Sequence, residues 1–351
     1  MSASSRHDPV AATSGEPMTS TKFRVGIIGA GRVGTVLGAA LARCGHRVVF
    51  ASPFSAASQA RIDRLLPGAP TVPVDHVADA VDILLIAVPD DRLAGLVRGL
   101  AESRAVRPGQ VVIHTSGAHG IGALAPVESL GAYPMALHPA MTFTGMPGDL
   151  ERLKDGVSFG VTTPMALRPL ATRLVADLGG AVEWIPEEFR PLYHAALAHG
   201  ANHLVTLVNE AVDRLRDAGV GDPQRVLGPL LRAALDNALR HGDAALTGPI
   251  ARGDAGTVAR HIATLSAVAP DSVPVYVALA RRTADRAIAS GRLRPWDAEP
   301  LLGVLPAGSS QATVSSPSAG ASQSTSQPAV RQSTITSQSN LSSQSAAEVG
   351  S

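Results

Sequence analysis

Apolar positions along the chain fall into two regimes. Between residues 23 and about 160, short β-rich apolar runs alternate with segments of helical period. Residues 23–28, 47–51, 83–88 and 111–114 read as strands, and 157–161 as a further strand that closes the sheet. The run 83–88 is apolar without interruption, as in a strand covered on both faces. Residues 33–44 read as a helix with small side chains along one side. Alternation of this kind predicts an α/β domain with a doubly wound, parallel sheet.

Beyond about residue 165 only helical period remains. Pro186 opens a long helical stretch that runs to about Ala218, where Gly219 stops it. Asp222 caps and Pro223 opens the next helix, which Gly242 ends. Further helices are expected at 255–267, 272–290 and 296–304, so the second domain is all-α. The expected organisation is a sheet domain at 22–165 and a helical domain at 166–306. Residues 1–21 and 307–351 carry no apolar period; they read as a disordered leader and a disordered Ser/Gln-rich tail.

Composition narrows the function classes. A chain of 351 residues, 45% of them hydrophobic, supports two domains with real cores. The formal charge of +1 offers no electrostatic case for nucleic acid or an anionic membrane. The leader does not read as a signal peptide and no apolar run is long enough to span a bilayer, so a cytoplasmic protein is expected. Cys44 is the only cysteine, which excludes an intramolecular disulfide and a cysteine-based metal site; no metal is assigned. Lys22 and Lys154 are the only lysines.

The strongest local signal is Gly29-Ala30-Gly31-Arg32-Val33-Gly34, a G-x-G-x-x-G turn that follows a strand and opens a helix. Gly29 permits the tight turn. Gly31 lets the backbone approach a pyrophosphate. Gly34 lets the helix pack on the sheet, and the helix N-terminus attracts phosphate. A dinucleotide site is therefore expected. NAD sites usually carry Asp or Glu at the end of the second strand. Here that stretch reads Phe50-Ala51-Ser52-Pro53-Phe54-Ser55, with no carboxylate before Asp63. Ser52, Ser55, Arg61 and Arg32 are candidate partners for a 2′-phosphate, which favours NADP with NAD as the alternative. Arg61 reads equally as a solvated helix-face residue.

Further candidates sit at the strand ends, where open α/β sheets bind ligands. Val88-Pro89-Asp90 follows one strand; Asp90 is read either as a site residue or as a helix cap. His114-Thr115-Ser116-Gly117 follows the next. Ser116 is a candidate donor to a substrate carboxylate or carbonyl, and Gly117 permits close backbone approach. His138-Pro139 lies beyond. Each histidine has two readings, structural or catalytic.

These motifs, together with Tyr193-His194-Ala195-Ala196, Asn202 and the segment 246–254 (LTGPIARGD), resemble in order the Rossmann-like proteins that carry a C-terminal helical domain of unknown function. That group is similar in plan to the 6-phosphogluconate dehydrogenase superfamily, with its pyrroline-5-carboxylate, deazaflavin-dependent and ketopantoate reductases. The resemblance covers about 23–305. It implies a Rossmann domain followed by a helical domain of the 6-phosphogluconate dehydrogenase C-terminal type, and a homodimer formed through the helical domain. It also suggests reduction of 2-dehydropantoate in pantothenate synthesis.

One departure is informative. Many superfamily dehydrogenases place a lysine four residues before an Asn on the first long helix of the second domain. Asn202 fits the Asn position, but Ala198 stands where the lysine would be. His194, Ala198 and Asn202 are spaced at four and share a helix face. His194 then becomes a candidate proton donor, since an unperturbed imidazole titrates near 6.5, and Asn202 would orient the carbonyl. The other reading of His194 is a buried histidine bonded to a loop carbonyl. Asp254 reads as a helix cap. Arg252 reads as a clamp for a substrate carboxylate or as an interface residue. The expected function is an NADP-dependent oxidoreductase acting on a small carbonyl carboxylate. A pyrroline-5-carboxylate-type imine reductase and a non-catalytic NADP-binding sensor are the rivals.

Overall fold

The computed structural model describes residues 22–78 and 81–306. The expected disordered leader and tail lie outside the described residues. By their internal contacts the described residues divide into two compact units, the first ending at Ala233 and the second beginning at Ala234.

The first unit is built on a seven-stranded sheet with the order β2-β1-β3-β4-β5-β6-β7. The strands are β1 (Arg24–Ile28), β2 (Arg47–Ser52), β3 (Ile83–Ile86), β4 (Val111–His114), β5 (Tyr133–Pro139), β6 (Ser158–Thr162) and β7 (Ala181–Trp184). Neighbours are parallel except β5 and β6, where Ala136 faces Thr162 and Pro139 faces Phe159 in antiparallel register. The order reverses at β1, which opens a crevice at the carboxyl ends of β1 and β3.

Burial explains why these segments pair. All four residues of β3 and of β4 are buried, as strands covered on both faces require. One face carries a core of Ile27, Leu37, Leu85, Met135, Phe159 and Leu174, formed with the helices Arg32–Arg43 and Arg168–Asp177. The other carries Ile28, Leu84, Leu93, Val97 and Leu124, formed with the helix Asp90–Glu102. The second unit has its own core, in which Val258, Ala280, Ala284, Leu293 and Leu301 join the helices Ala255–Val268, Val273–Ala289 and Pro295–Val304. Among the described residues no helix is long and apolar enough to cross a membrane.

Several expectations need correction. The strand expected at 83–88 stops at Ile86; Ala87 still bonds Ile28, at 2.8 Å, and Pro89 has no N–H to continue the ladder. The sequence pattern missed β5, because Pro134 and Pro139 argue against a strand. The strand expected to close the sheet is antiparallel to β5 and interior; the sheet closes with β7, so it runs past residue 165. β7 is a short, exposed edge strand, which weakens its apolar signature. The helical stretch expected from Pro186 to Ala218 is interrupted. It comprises a 3₁₀ turn Glu187–Phe189, a helix Arg190–Leu197, a π-helical turn Ala198–Asn202 and a helix His203–Asp217.

Candidate functional site

The glycine turn joins β1 to the helix Arg32–Arg43. The N–H groups of Gly29 and Ala30 bond the carbonyl of Ser52, at 3.3 and 3.2 Å, which ties the turn to the end of β2. Gly29 has φ +84°, and a Cβ there would meet the Ala87 carbonyl oxygen at 2.5 Å. A Cβ at Gly34 would meet the Gly29 oxygen at 2.5 Å. Gly31 differs: a Cβ there has no neighbour nearer than 4.0 Å. The face of Gly31 is thus open at a helix N-terminus that no side chain caps and whose first turn carries no acid. These features fit a pyrophosphate. Val88 and Pro89 line a cleft of about 700 Å³ with Phe54, Arg92 and Leu96, wide and apolar enough for an adenine ring.

The residues proposed for a 2′-phosphate divide. Ser52 is buried, with its carbonyl holding the turn. Ser55 caps the helix Ala56–Leu65 in a reciprocal box with Ser58, so its hydroxyl is already engaged. Arg32 and Arg61 converge on Gly145, which an added Cβ would bring to 3.2 Å from Arg32 Cγ and 3.0 Å from Arg61 Nε. Arg64 donates to the Gly145 carbonyl at 3.2 Å. The loop carrying Gly145 is held by Asp149. Its buried carboxylate accepts from the N–H groups of Thr144 and Gly145 at 2.8 and 2.7 Å. Burial opposes the Asp149 charge, but the hydrogen bonds from Gly145 and Thr144 outweigh it and hold the carboxyl below the usual carboxylate range.

The same loop leads back to a second pocket of about 170 Å³, lined by His138, Thr142, His194, Ala198 and Asn202 among others. His138 comes from β5, Thr142 from the loop, and the other three from the helix and its π-turn. The face shared by His194, Ala198 and Asn202 is therefore kept, although the backbone between 198 and 202 is π rather than α. Such turns recur at functional sites. The rings of His138 and His194 lie 5.9 Å apart, edge to face. Gly117 makes room for both: a Cβ there would lie 2.6 Å from the His194 ring and 3.0 Å from His138 Nε2.

Burial pushes His138 down to about 4, helped by the charge of Arg190 and by His194. At neutral pH His138 is thus a neutral imidazole. His194 is half-buried and makes no hydrogen bond to protein among the described residues. The buried histidine bonded to a loop carbonyl is instead His114. Its Nε2 donates to Gly120 at 2.9 Å and its Nδ1 accepts from the Ser116 N–H at 3.2 Å. Burial likewise lowers it to about 4.

Ser116 does not reach the pocket. It is buried, its Oγ lies 3.0 Å from His119 Nδ1, and it accepts from the His119 N–H at 3.1 Å. Asp90 is the first residue of its helix and makes no cap; its carboxylate lies 3.8 Å from the same His119 nitrogen. Ser116, His119 and Asp90 are therefore not a relay, which needs serine and aspartate on opposite ring nitrogens. Asp254 caps the helix Ala255–Val268, with its carboxylate accepting from Thr257 N–H at 3.0 Å. Arg252 lies in the second unit, at the end of the one-turn helix Gly248–Ala251.

Two residues escaped the sequence reading as site residues. Arg190 is fully buried, and its guanidinium donates to the carbonyls of Ser116, His119 and Gly160 at 2.7, 2.9 and 3.0 Å. It pins the β4 loop and β6 to the start of the helix. Nothing in the string Glu188-Phe189-Arg190-Pro191 marks that burial. Tyr193 reaches His138 Nδ1 at 3.0 Å; its signal was its place in the motif Tyr193-His194-Ala195-Ala196, which gave it no role.

A doubly wound sheet with an open glycine turn at the first strand end places the chain in the class of Rossmann-type dinucleotide-binding folds. More particularly, the chain carries a Rossmann-like domain, matched over residues 9–139, followed by a Domain of unknown function (DUF2520), matched over 157–283. It is 29% identical over 239 residues to a glycerol-3-phosphate dehydrogenase [NAD(P)+] of Halorhodospira halophila, covering 58% of this chain and 70% of that one. A candidate NADP oxidoreductase of Bacteroides fragilis has a similar structure, with TM-score 0.63 and 20% identity, covering 75% of this chain and 98% of the other. A 1-pyrroline-5-carboxylate reductase from Streptococcus pyogenes matches with TM-score 0.51 and 14% identity over 76% of this chain and 99% of its own. At these identities the structural likeness is one of fold.

Proposed function

We propose that the chain is an NAD(P)-dependent oxidoreductase that prefers NADP and reduces a small carbonyl carboxylate. The observation that carries this reading is the convergence of His138, His194 and Asn202 on one pocket at the strand ends, reached by the same loop that meets Arg32 and Arg61. A bound nicotinamide supplies hydride. The chain then has to bind the phosphates, steady the carbonyl and deliver one proton. Neither lysine is free to deliver that proton, since Lys154 pairs with Glu151 at 3.2 Å and Lys22 donates to the Cys44 carbonyl at 2.6 Å. His194 is the proton donor in this reading, and Asn202 orients the carbonyl.

The test is NADPH oxidation by the purified full chain against a panel of 2-oxo acids, 2-dehydropantoate first. Intact cofactor binding without turnover of any of them sinks the carbonyl reading. A pyrroline-5-carboxylate-type imine reductase is the second reading. It is favoured by the lack of a lysine beside Asn202, since an imine needs less acid help than a ketone. A purely cofactor-sensing protein is disfavoured by the polar lining of the pocket.

The NADP preference rests on Arg32 and Arg61, whose guanidinium groups have no carboxylate partner among the described residues. Charge-assisted hydrogen bonds contribute about 1.5–3 kcal/mol each. Each Arg→Ala exchange is therefore expected to raise KM for NADPH roughly 10–100-fold, with little change for NADH. Equal effects on the two cofactors would remove the 2′-phosphate assignment.

A homodimer belongs to the same proposal. The helix His203–Asp217 leaves Leu204, Val205 and Leu207 exposed, and Val226 and Leu230 are exposed on the helix that follows. Apolar faces of this kind mark interaction surfaces. Light scattering at micromolar concentration should give twice the chain mass of 35.9 kDa. A monomer there refutes the dimer.

A further inference from the structure

Tyr193 and Arg190 meet His138 from one turn of the helix Arg190–Leu197. Their contacts decide which imidazole nitrogen carries the proton. The Tyr193 hydroxyl lies 3.0 Å from His138 Nδ1. The Tyr193 ring is packed against Gly160, where an added Cβ would lie 2.6 Å from the phenol oxygen. A phenol has one proton to give. If Nδ1 were protonated it would donate to the Tyr193 oxygen, and the phenol's own proton would have no acceptor in this cluster. The arrangement that satisfies every group has Tyr193 donating to an unprotonated Nδ1, which leaves the proton of His138 on Nε2. Burial raises Tyr193 above the usual phenol range, so its proton is present at neutral pH.

Arg190 supplies the second constraint. Its guanidinium is fully buried on three carbonyls and sits 5.7 Å from the centre of the Tyr193 ring. A fixed buried charge repels another beside it. The groups facing His138 are Arg190, Tyr193 and His194 on its partner helix, Asp90 on the helix Asp90–Glu102, and His114 on β4. Of the charged neighbours Arg190 has the largest effect, and it outweighs the opposing one of Asp90.

We propose that Tyr193 is a positioning residue that locks His138 as the neutral Nε2–H tautomer, a hydrogen-bond donor on the pocket, while buried Arg190 opposes a second positive charge there. The two histidines then divide the work. His138 keeps its proton and steadies the oxygen of the substrate carbonyl. Hydride adds to the carbonyl carbon, the C=O electron pair moves to oxygen, and His194 or a water molecule delivers the proton that completes the alcohol. The roles of both histidines toward a carbonyl rest on the reductase reading; the tautomer does not.

The experiment is long-range ¹H–¹⁵N correlation of the imidazoles in the uniformly labelled full chain, with His138 assigned through its proximity to Tyr193. Wild-type His138 is expected to show a protonated Nε2 and an unprotonated Nδ1 throughout pH 5 to 8. In Tyr193→Phe both tautomers should appear. With a substrate in hand, kcat of that variant should fall about tenfold, the loss of one hydrogen bond's worth of orientation, with KM for NADPH unchanged. A wild-type spectrum showing Nδ1–H, or a doubly protonated ring near neutral pH, overturns the proposal without recourse to any variant. So does a Tyr193→Phe spectrum identical to wild type. Absence of turnover with every 2-oxo acid, beside the expected spectrum, overturns the reductase reading alone.

Discussion

Exchange of His194 for Gln is expected to lower kcat by about 10²–10⁴-fold, the usual contribution of a positioned general acid. The expectation rests on where the ring stands. It lines the pocket with Asn202 and Ala198, and no protein group ties up its nitrogens among the described residues. Gln keeps hydrogen-bonding capacity but cannot give up a proton near neutral pH. Binding of NADPH should be unchanged, because His194 stands on the helix Arg190–Leu197 and the phosphate turn is Gly29–Gly34. The effect should therefore fall on kcat and kcat/KM together, the sign of an interaction made in the transition state. Steady-state kinetics with the best substrate of the panel decides it. Turnover within a few-fold of wild type would pass the role of donor to a bound water, with Asn202 left to orient the carbonyl.

Acid should destabilise the first unit well before its carboxylates titrate. His114 and His138 are both held near 4 by burial, against 6.5 when the chain is unfolded. A folded value below the unfolded one means that the unfolded chain binds the extra protons between pH 6.5 and 4. Stability from these groups is complete above pH 6.5 and is lost as pH falls through that window. Each histidine contributes a slope of about 1.4 kcal/mol per pH unit. The loss then continues at lower pH, where Asp149, depressed in the fold, becomes protonated. Urea unfolding followed by circular dichroism at half-unit steps from pH 7.5 to 4 measures the slope. His114→Gln keeps a donor for the Gly120 carbonyl and removes one titrating group, so it should roughly halve the slope. A wild-type midpoint that is flat from pH 7 to 4.5 would show that neither ring is held neutral.

How far the sequence carried these conclusions varied by element. The glycine turn was legible because its chemistry is local: Gly29 needs positive φ, Gly34 has no room for a Cβ, and both constraints act within a few residues. β3 and β4 were legible because a strand covered on both faces is apolar throughout. β5 was not, because its two prolines contradict strand propensity and only its neighbours β4 and β6 hold it in line. The interruption of the helix at 198–202 was invisible, since a π-turn leaves no mark on a four-residue spacing.

The candidate site shows the same division. His138, His194 and Asn202 were each named on residue type and position, yet Ser116 was named on the same grounds and turned inward to His119. Of the two residues that set the state of His138, Arg190 carried no pattern of its own, and Tyr193 entered only within the motif Tyr193-His194-Ala195-Ala196, with no role assigned. From the sequence by itself followed the dinucleotide turn, the order of sheet and helices, and the absence of a lysine beside Asn202. Those depend on backbone sterics and residue identity. Only the tertiary structure decided which histidine is structural, which is neutral and which remains open to a ligand. Protonation and access depend on burial and on charges brought from β4, β6 and the helix Arg190–Leu197, elements far apart in the chain.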